Sequence, residues 1–169
     1  MTSFLDMPLI ARVRRNHAVE HATIHVLSAR NPHLRLMGRT GLSGFTLYGW
    51  VHTEEVASAV AEALNRLQAG EYHLAIHPHC GANMVVSGML AGLAAFAALI
   101  FPRRSKWRLS RLPDMMLATM LALIVAQPLG LILQERVTTS PEVRGMFVRR
   151  INRQQWGRLV IHDVILAQE

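Results

Sequence analysis

Two short stretches concentrate the side chains of this 169-residue chain that are equipped for chemistry. Seven of its nine histidines lie in them: His17, His21, His25 and His33 early, then His73, His77 and His79. The first contains His17-Ala18-Val19-Glu20-His21, an HxxEH pattern that reverses HExxH. On a helix, positions i and i+4 share a face, so the imidazoles of His17 and His21 are expected to meet one Zn²⁺. Glu20 stands next to them as general base for a water activated by the ion. His25 extends the row by one turn. Alone, the pattern also fits the polar face of an ordinary surface helix, because short motifs recur by chance.

The second stretch, His77-Pro78-His79-Cys80-Gly81-Ala82-Asn83, puts two imidazoles, a thiol and a carboxamide on what Pro78 and Gly81 mark as a turn. Imidazole and thiolate both ligate zinc, so His77 and Cys80 are the candidates to complete the site. The bland alternative is a hydrophilic turn with an ordinary thiol, since an isolated HxxC is not a defined ligand spacing. In the pair His162-Asp163 a carboxylate beside a histidine could orient a ligand from behind, but on an alternating segment it is expected as a surface pair.

The elements that must position these residues are of two kinds. Residues 1–81 are expected to form an α+β domain of helix, strand and helix. The first helix covers Leu9 to Ala29 and is ended by Asn31-Pro32. A glycine-rich turn follows at residues 38–44, and Phe45 to Val51 alternates as a strand does. Thr53 is read as the N-cap of a helix with Glu54 and Glu55 in its first turn and Gly70 at its end. Leu74 to Ile76 is read as a short strand. Residues 82–101 and 115–134 are each twenty residues without a charge. That length matches a bilayer's hydrocarbon core of roughly 30 Å, so residues 82–134 are predicted to be a transmembrane hairpin. Gly88 and Gly92 form a GxxxG pair suited to close approach by the second span or by another copy of the chain. Residues 135–169 are a basic segment predicted to pack on the N-terminal domain, with a short helix over Val143 to Arg153 and a strand or irregular tail over Trp156 to Leu166.

Composition supports a lipid-facing hairpin. The chain is 51% hydrophobic yet 6% aromatic. With a formal charge of +7 and arginines scattered among apolar segments, anionic headgroups are the expected counterpart, and nucleic acid is not. Cys80 is the single cysteine, which excludes an internal disulfide. The first fifteen residues do not read as a cleavable signal peptide. The connection holding Arg103, Arg104, Lys106, Trp107, Arg108 and Arg111 would place itself in the cytoplasm by the positive-inside rule. The N-terminal domain, which carries no export signal, argues for cytoplasmic ends instead. Orientation stays open between these cues, with the second slightly favoured.

HAVEHATI followed some fifty residues later by HPHCGAN resembles the bacterial membrane proteins called YqhQ-like, described as predicted metal-dependent enzymes. That family carries His-x-x-Glu-His and, downstream, His-Pro-Arg-Cys-Gly-Thr leading into a hydrophobic span. The matching positions are His17, Glu20 and His21, then His77, Pro78, Cys80 and Gly81. His79 and Ala82 stand where the pattern has Arg and Thr, and this chain is shorter, with two spans. Residues 38–70 are more similar to a smaller membrane family, itself a domain of unknown function. The resemblance spans roughly residues 12–90 and implies a multi-pass protein of the bacterial inner membrane with a metal centre.

Two functional readings follow. One is a membrane-bound, zinc-dependent hydrolase with Glu20 catalytic and His17, His21, His77 and Cys80 as ligands, acting on a lipid-like or membrane-protein substrate. The other is a non-catalytic small subunit or assembly factor of a membrane complex, its histidines holding a structural metal or a tetrapyrrole; without CxxCH, covalent haem has no support.

Overall fold

The computed structural model describes residues 4–100, 111–157 and 159–169. They separate into two compact units, one of residues 1–77 with 135–169 and one of residues 78–134.

In the first unit, helix α1 (Pro8–Arg30) opens with a proline in its first turn, where the missing N–H costs no hydrogen bond. Its backbone ladder closes with Asn31 N–H donating to the Leu27 carbonyl. Strands β1 (Met37–Thr40) and β2 (Gly44–Tyr48) form a hairpin. Gly44 has φ +149, and a Cβ there would collide with the Val164 carbonyl, so the turn needs glycine. Helix α2 (Thr53–Gln68) follows, then a 3₁₀ turn at Tyr72–Ala75. After the second unit the chain returns through a π-helical turn (Gln134–Thr138) to the hairpin of β3 (Met146–Trp156) and β4 (Leu159–Gln168). The four strands pair antiparallel in the order β1-β2-β4-β3, so the two hairpins join through their inner strands, β2 and β4. One sheet face packs on α1 and α2. Its core joins Ala18, Val19 and Val26 of α1 to Val56, Val60 and Leu67 of α2, and to Leu47 and Val164 of the sheet. Each Val or Leu among them contributes roughly 1.5–3 kcal/mol by leaving water.

The second unit consists of α3 (Gly81–Ile100) and α4 (Leu112–Leu133). Asn83 near the start of α3 meets Gly130 near the end of α4, and the Arg111 guanidinium donates to the Leu99 carbonyl. The two helices therefore run antiparallel. Both are long and apolar enough to cross a membrane. No residue of α3 is buried, and within α4 only Ala126 and Gly130 are.

The mixed helix-and-sheet reading holds, but several elements differ from expectation. Residues 38–40, read as part of a turn, belong to β1. The helix expected over Val143 to Arg153 is instead the start of β3, an outer strand whose polar, exposed side chains give no alternation to read. The short strand expected at Leu74 to Ile76 is the 3₁₀ turn. Thr53 is the first helical residue, not the cap; His52 takes that position. Gly88 and Gly92, read as suited to close approach by the second span or by another copy, do not meet the second span: an added Cβ there touches nothing within 4 Å, whereas one at Gly130 would crowd Asn83. Phe101 and the basic run from Arg103 to Arg108 lie outside the described residues.

Candidate metal centre

The stripe of α1 through His17, His21 and His25 faces the segment that follows the 3₁₀ turn, within the first unit. The His17 and His21 rings meet edge to face with centroids 4.3 Å apart. His77 joins them, 5.8 Å from His21 and 5.0 Å from His25. Imidazoles bound through one nitrogen to a tetrahedral ion at about 2.0–2.1 Å would have centroids about 5 Å apart. The observed spacings straddle that value. A ring nitrogen of His17 and one of His21 already lie within 4.8 Å of each other, so small ring rotations would suffice.

Backbone carbonyls set the tautomers. His17 Nδ1–H donates to the Thr138 carbonyl at 3.0 Å, and His21 Nδ1–H to the Ala75 carbonyl at 2.7 Å. Both rings thus carry the unprotonated lone pair on Nε2, the tautomer in which a carbonyl could orient an imidazole towards a metal. His25 is turned the other way, its Nε2–H donating to the Ile76 carbonyl at 2.9 Å. The charge state agrees. Burial pushes the His21 pKa down to about 3, with His17, His77 and His25 adding repulsion, although the Ala75 carbonyl raises it. Burial also lowers His17, partly opposed by the Thr138 carbonyl. Both imidazoles are neutral at physiological pH and need lose no proton to become ligands.

Glu20 is almost fully buried on the sheet side of α1. Its carboxyl accepts a hydrogen bond from the Thr40 hydroxyl and packs against Gly38, where a Cβ would overlap it. Burial raises its pKa to about 7, with the Thr40 bond acting in the opposite sense. The neighbouring Asn16 caps the β1–β2 turn from the same helix, donating to the Gly41 and Leu42 carbonyls at 2.9 and 3.2 Å.

Cys80 belongs to the second unit, one residue before α3. There its carbonyl accepts the Asn83 N–H at 3.0 Å, while the Asn83 side-chain amide donates to the Pro78 carbonyl at 3.1 Å. His33, His73 and His79 are exposed. His162, expected at the surface, is fully buried on the core face of β4, its Nε2 3.1 Å from the Thr53 hydroxyl. Asp163 points to the opposite face and accepts from the Thr46 hydroxyl at 2.7 Å. The carbonyls that fix the rings were beyond sequence reasoning: they come from the first turn after the hairpin and from the end of the 3₁₀ turn, 121 and 54 residues away.

The family model described as "Domain of unknown function (DUF6391)" matches residues 12–151. A similar protein is an uncharacterized one from Picosynechococcus sp., 37% identical over 138 residues, which are 76% of this chain and 66% of that protein. The match thus spans slightly less than two thirds of the relative's own length. No solved structure matches the chain.

Proposed function

This chain belongs to the DUF6391 family, and we propose from that premise that it is a membrane-anchored, metal-dependent protein whose histidine cluster supports hydrolysis. The observation that carries the reading is the tautomer-fixed pair His17 and His21 with His77 beside it. Cys80 enters on covalent grounds: three residues beyond His77, its Cα lies within about 11 Å of that residue's. The likeness to YqhQ-like proteins, through His17, Glu20, His21, His77 and Cys80, supports the same donor set. A zinc-like ion held there would supply Lewis acidity and an activated water.

The protein's own part is threefold. The Thr138 and Ala75 carbonyls hold the two imidazoles in orientation, burial keeps them neutral, and Glu20, whose proton affinity lies near neutrality where a general base works best, would take the proton once its carboxyl turns from Thr40 towards the imidazoles. Helices α3 and α4 anchor the unit as two spans in a bacterial inner membrane, a reading supported by their length and their outward apolar side chains.

A second reading, a non-catalytic metal-binding subunit, is favoured by one observation: the Glu20 carboxyl is engaged by Thr40 on the sheet side. Purified full-length protein separates the two. The wild type is expected to carry near-stoichiometric transition metal and His17→Ala/His21→Ala none; equal metal in both overturns the centre. Glu20→Gln should keep the metal and lose turnover of a chromogenic acyl ester. Unchanged turnover removes Glu20 as the base, and metal without turnover in the wild type leaves the non-catalytic reading.

A further inference from the structure

His25 has no place in the HxxEH pattern, yet it shares a face of α1 with His17 and His21. Steps of four residues carry the row from His17 through His21 to His25, about 12 Å along the helix axis. Two imidazole nitrogens bound to one tetrahedral ion at about 2.0–2.1 Å stand only about 3.4 Å apart. A single ion therefore takes neighbouring members of the row, either His17 with His21 or His21 with His25. His77 lies against the second of these pairs, its ring centroid 5.8 Å from that of His21 and 5.0 Å from that of His25. Rings that share one ion have centroids about 5 Å apart, so His25 and His77 are spaced as two ligands of one ion are. His25 is also oriented as a ligand would be. Its Nε2–H donates to the Ile76 carbonyl at 2.9 Å, and the preceding carbonyl, Ala75, takes the His21 Nδ1–H at 2.7 Å. Consecutive carbonyls thus hold consecutive imidazoles of the row, and neutral His25 keeps its lone pair on Nδ1. His21 is buried, whereas His17 and His25 at the two ends are only partly so.

We propose that His25 makes a second position for the ion, overlapping the first: one position uses His17, His21 and His77, the other His21, His25 and His77. The two share His21 and His77, so one ion fills either but not both. In passing between them the ion loses its bond to His17 Nε2 and gains one to His25 Nδ1. No proton moves, because the N–H of each ring stays on its own carbonyl, and no charge changes. Two imidazoles hold the ion throughout. The row is thereby suited to receiving a divalent ion of the imidazole-binding series at one partly buried end and yielding it at the other. The inference rests on the proposed metal centre, and its test separates the two.

The experiment measures zinc affinity of the purified full chain in detergent by competition with a chromogenic chelator. His17→Asn and His25→Gln each remove an imidazole but keep an amide N–H for the Thr138 or Ile76 carbonyl, which spares the fold. Either change alone leaves one complete position, so each loss should be small. His17→Asn/His25→Gln spoils both positions, and its loss should exceed the product of the two single losses by at least about tenfold. A smaller excess, or none, overturns the second position. Should the double variant not fold, cobalt(II) in His17→Asn repeats the test. Proton NMR should then show three imidazole N–H signals shifted by the ion, those of His21, His25 and His77, and absence of the His25 signal overturns the inference. A wild type that binds no zinc defeats the metal centre and the second position together; zinc in the wild type without the excess in the double variant removes the second position alone.

Discussion

The two units of this chain put large apolar side chains to opposite uses. In the first, Leu47, Leu67, Val56 and Val60 are buried, and several polar groups that share the interior have partners: His21 on Ala75, Thr23 on Val19, Glu20 on Thr40. In the second, Met84, Leu93, Phe96, Leu117 and Ile124 point outward and are more than half exposed. Water would make that second pattern costly, at roughly 25 cal/mol per Å² of apolar surface, whereas hydrocarbon makes it neutral. The two units differ in where their apolar surface goes, and the imidazoles with fixed tautomers lie in the one with a folded interior.

The contrast can be broken or sharpened by substitution, beginning where effects are largest. Leu47→Ala should cost about 2–5 kcal/mol by emptying a packed core, whereas Leu93→Ala should change stability by less than about 0.5 kcal/mol. Thermal melts of the purified protein would read both, and comparable losses would mean that α3 is a core helix. A smaller effect concerns Glu20 in metal-free protein. Its folded pKa, about 7, lies above the ordinary value of 4.5, so the folded state holds the proton more tightly. The associated stability is fully present below pH 4.5 and is lost as pH rises through 7. Glu20→Gln removes that loss and should therefore gain on the wild type by about 3 kcal/mol between pH 4.5 and 8. A difference independent of pH would contradict the buried, proton-holding carboxyl. His21 acts in the opposite sense: depressed from 6.5 to about 3, it favours unfolding as pH falls from 6.5 towards 3. Metal-free His21→Ala should lose that acid sensitivity.

Smaller still is the effect at Gly130, a tight point between α3 and α4. A methyl at Gly130 would sit 2.9 Å from Asn83 Oδ1, so Gly130→Ala should cost about 1 kcal/mol. Gly88→Ala and Gly92→Ala, where a Cβ meets nothing, should leave the pairing of the helices untouched. Loss of helix pairing at the latter two positions would restore the GxxxG seam as the contact.

Much of the mixed helix-and-sheet architecture was legible because its signals are local. The apolar spacing of α1 and α2, the alternation of β2 and the two charge-free twenties each announce themselves within one element. What was illegible depended on partners. β1 looks like a turn because Gly38 serves contact with Glu20, not chain reversal. β3 looks helical because an outer strand with few buried positions carries no period-two pattern. His162 looks superficial because only pairing with Leu47 on β2 and packing beneath Thr53 bury it. The same holds for the site. The i, i+4 spacing of His17 and His21 was plain, but the carbonyls that decide which ring nitrogen is protonated come from distant segments, and the sheet-side seat of Glu20 followed from a strand the sequence did not announce.

X-ray absorption at the metal edge of zinc-loaded full-length protein tests the central claim most directly. It should report about three imidazole nitrogens at roughly 2.0–2.1 Å, with one sulfur near 2.3 Å if Cys80 is the fourth ligand, and lose the imidazole scattering in His17→Ala/His21→Ala. A zinc surrounded by oxygen alone, or a spectrum that the double variant leaves unchanged, would contradict it.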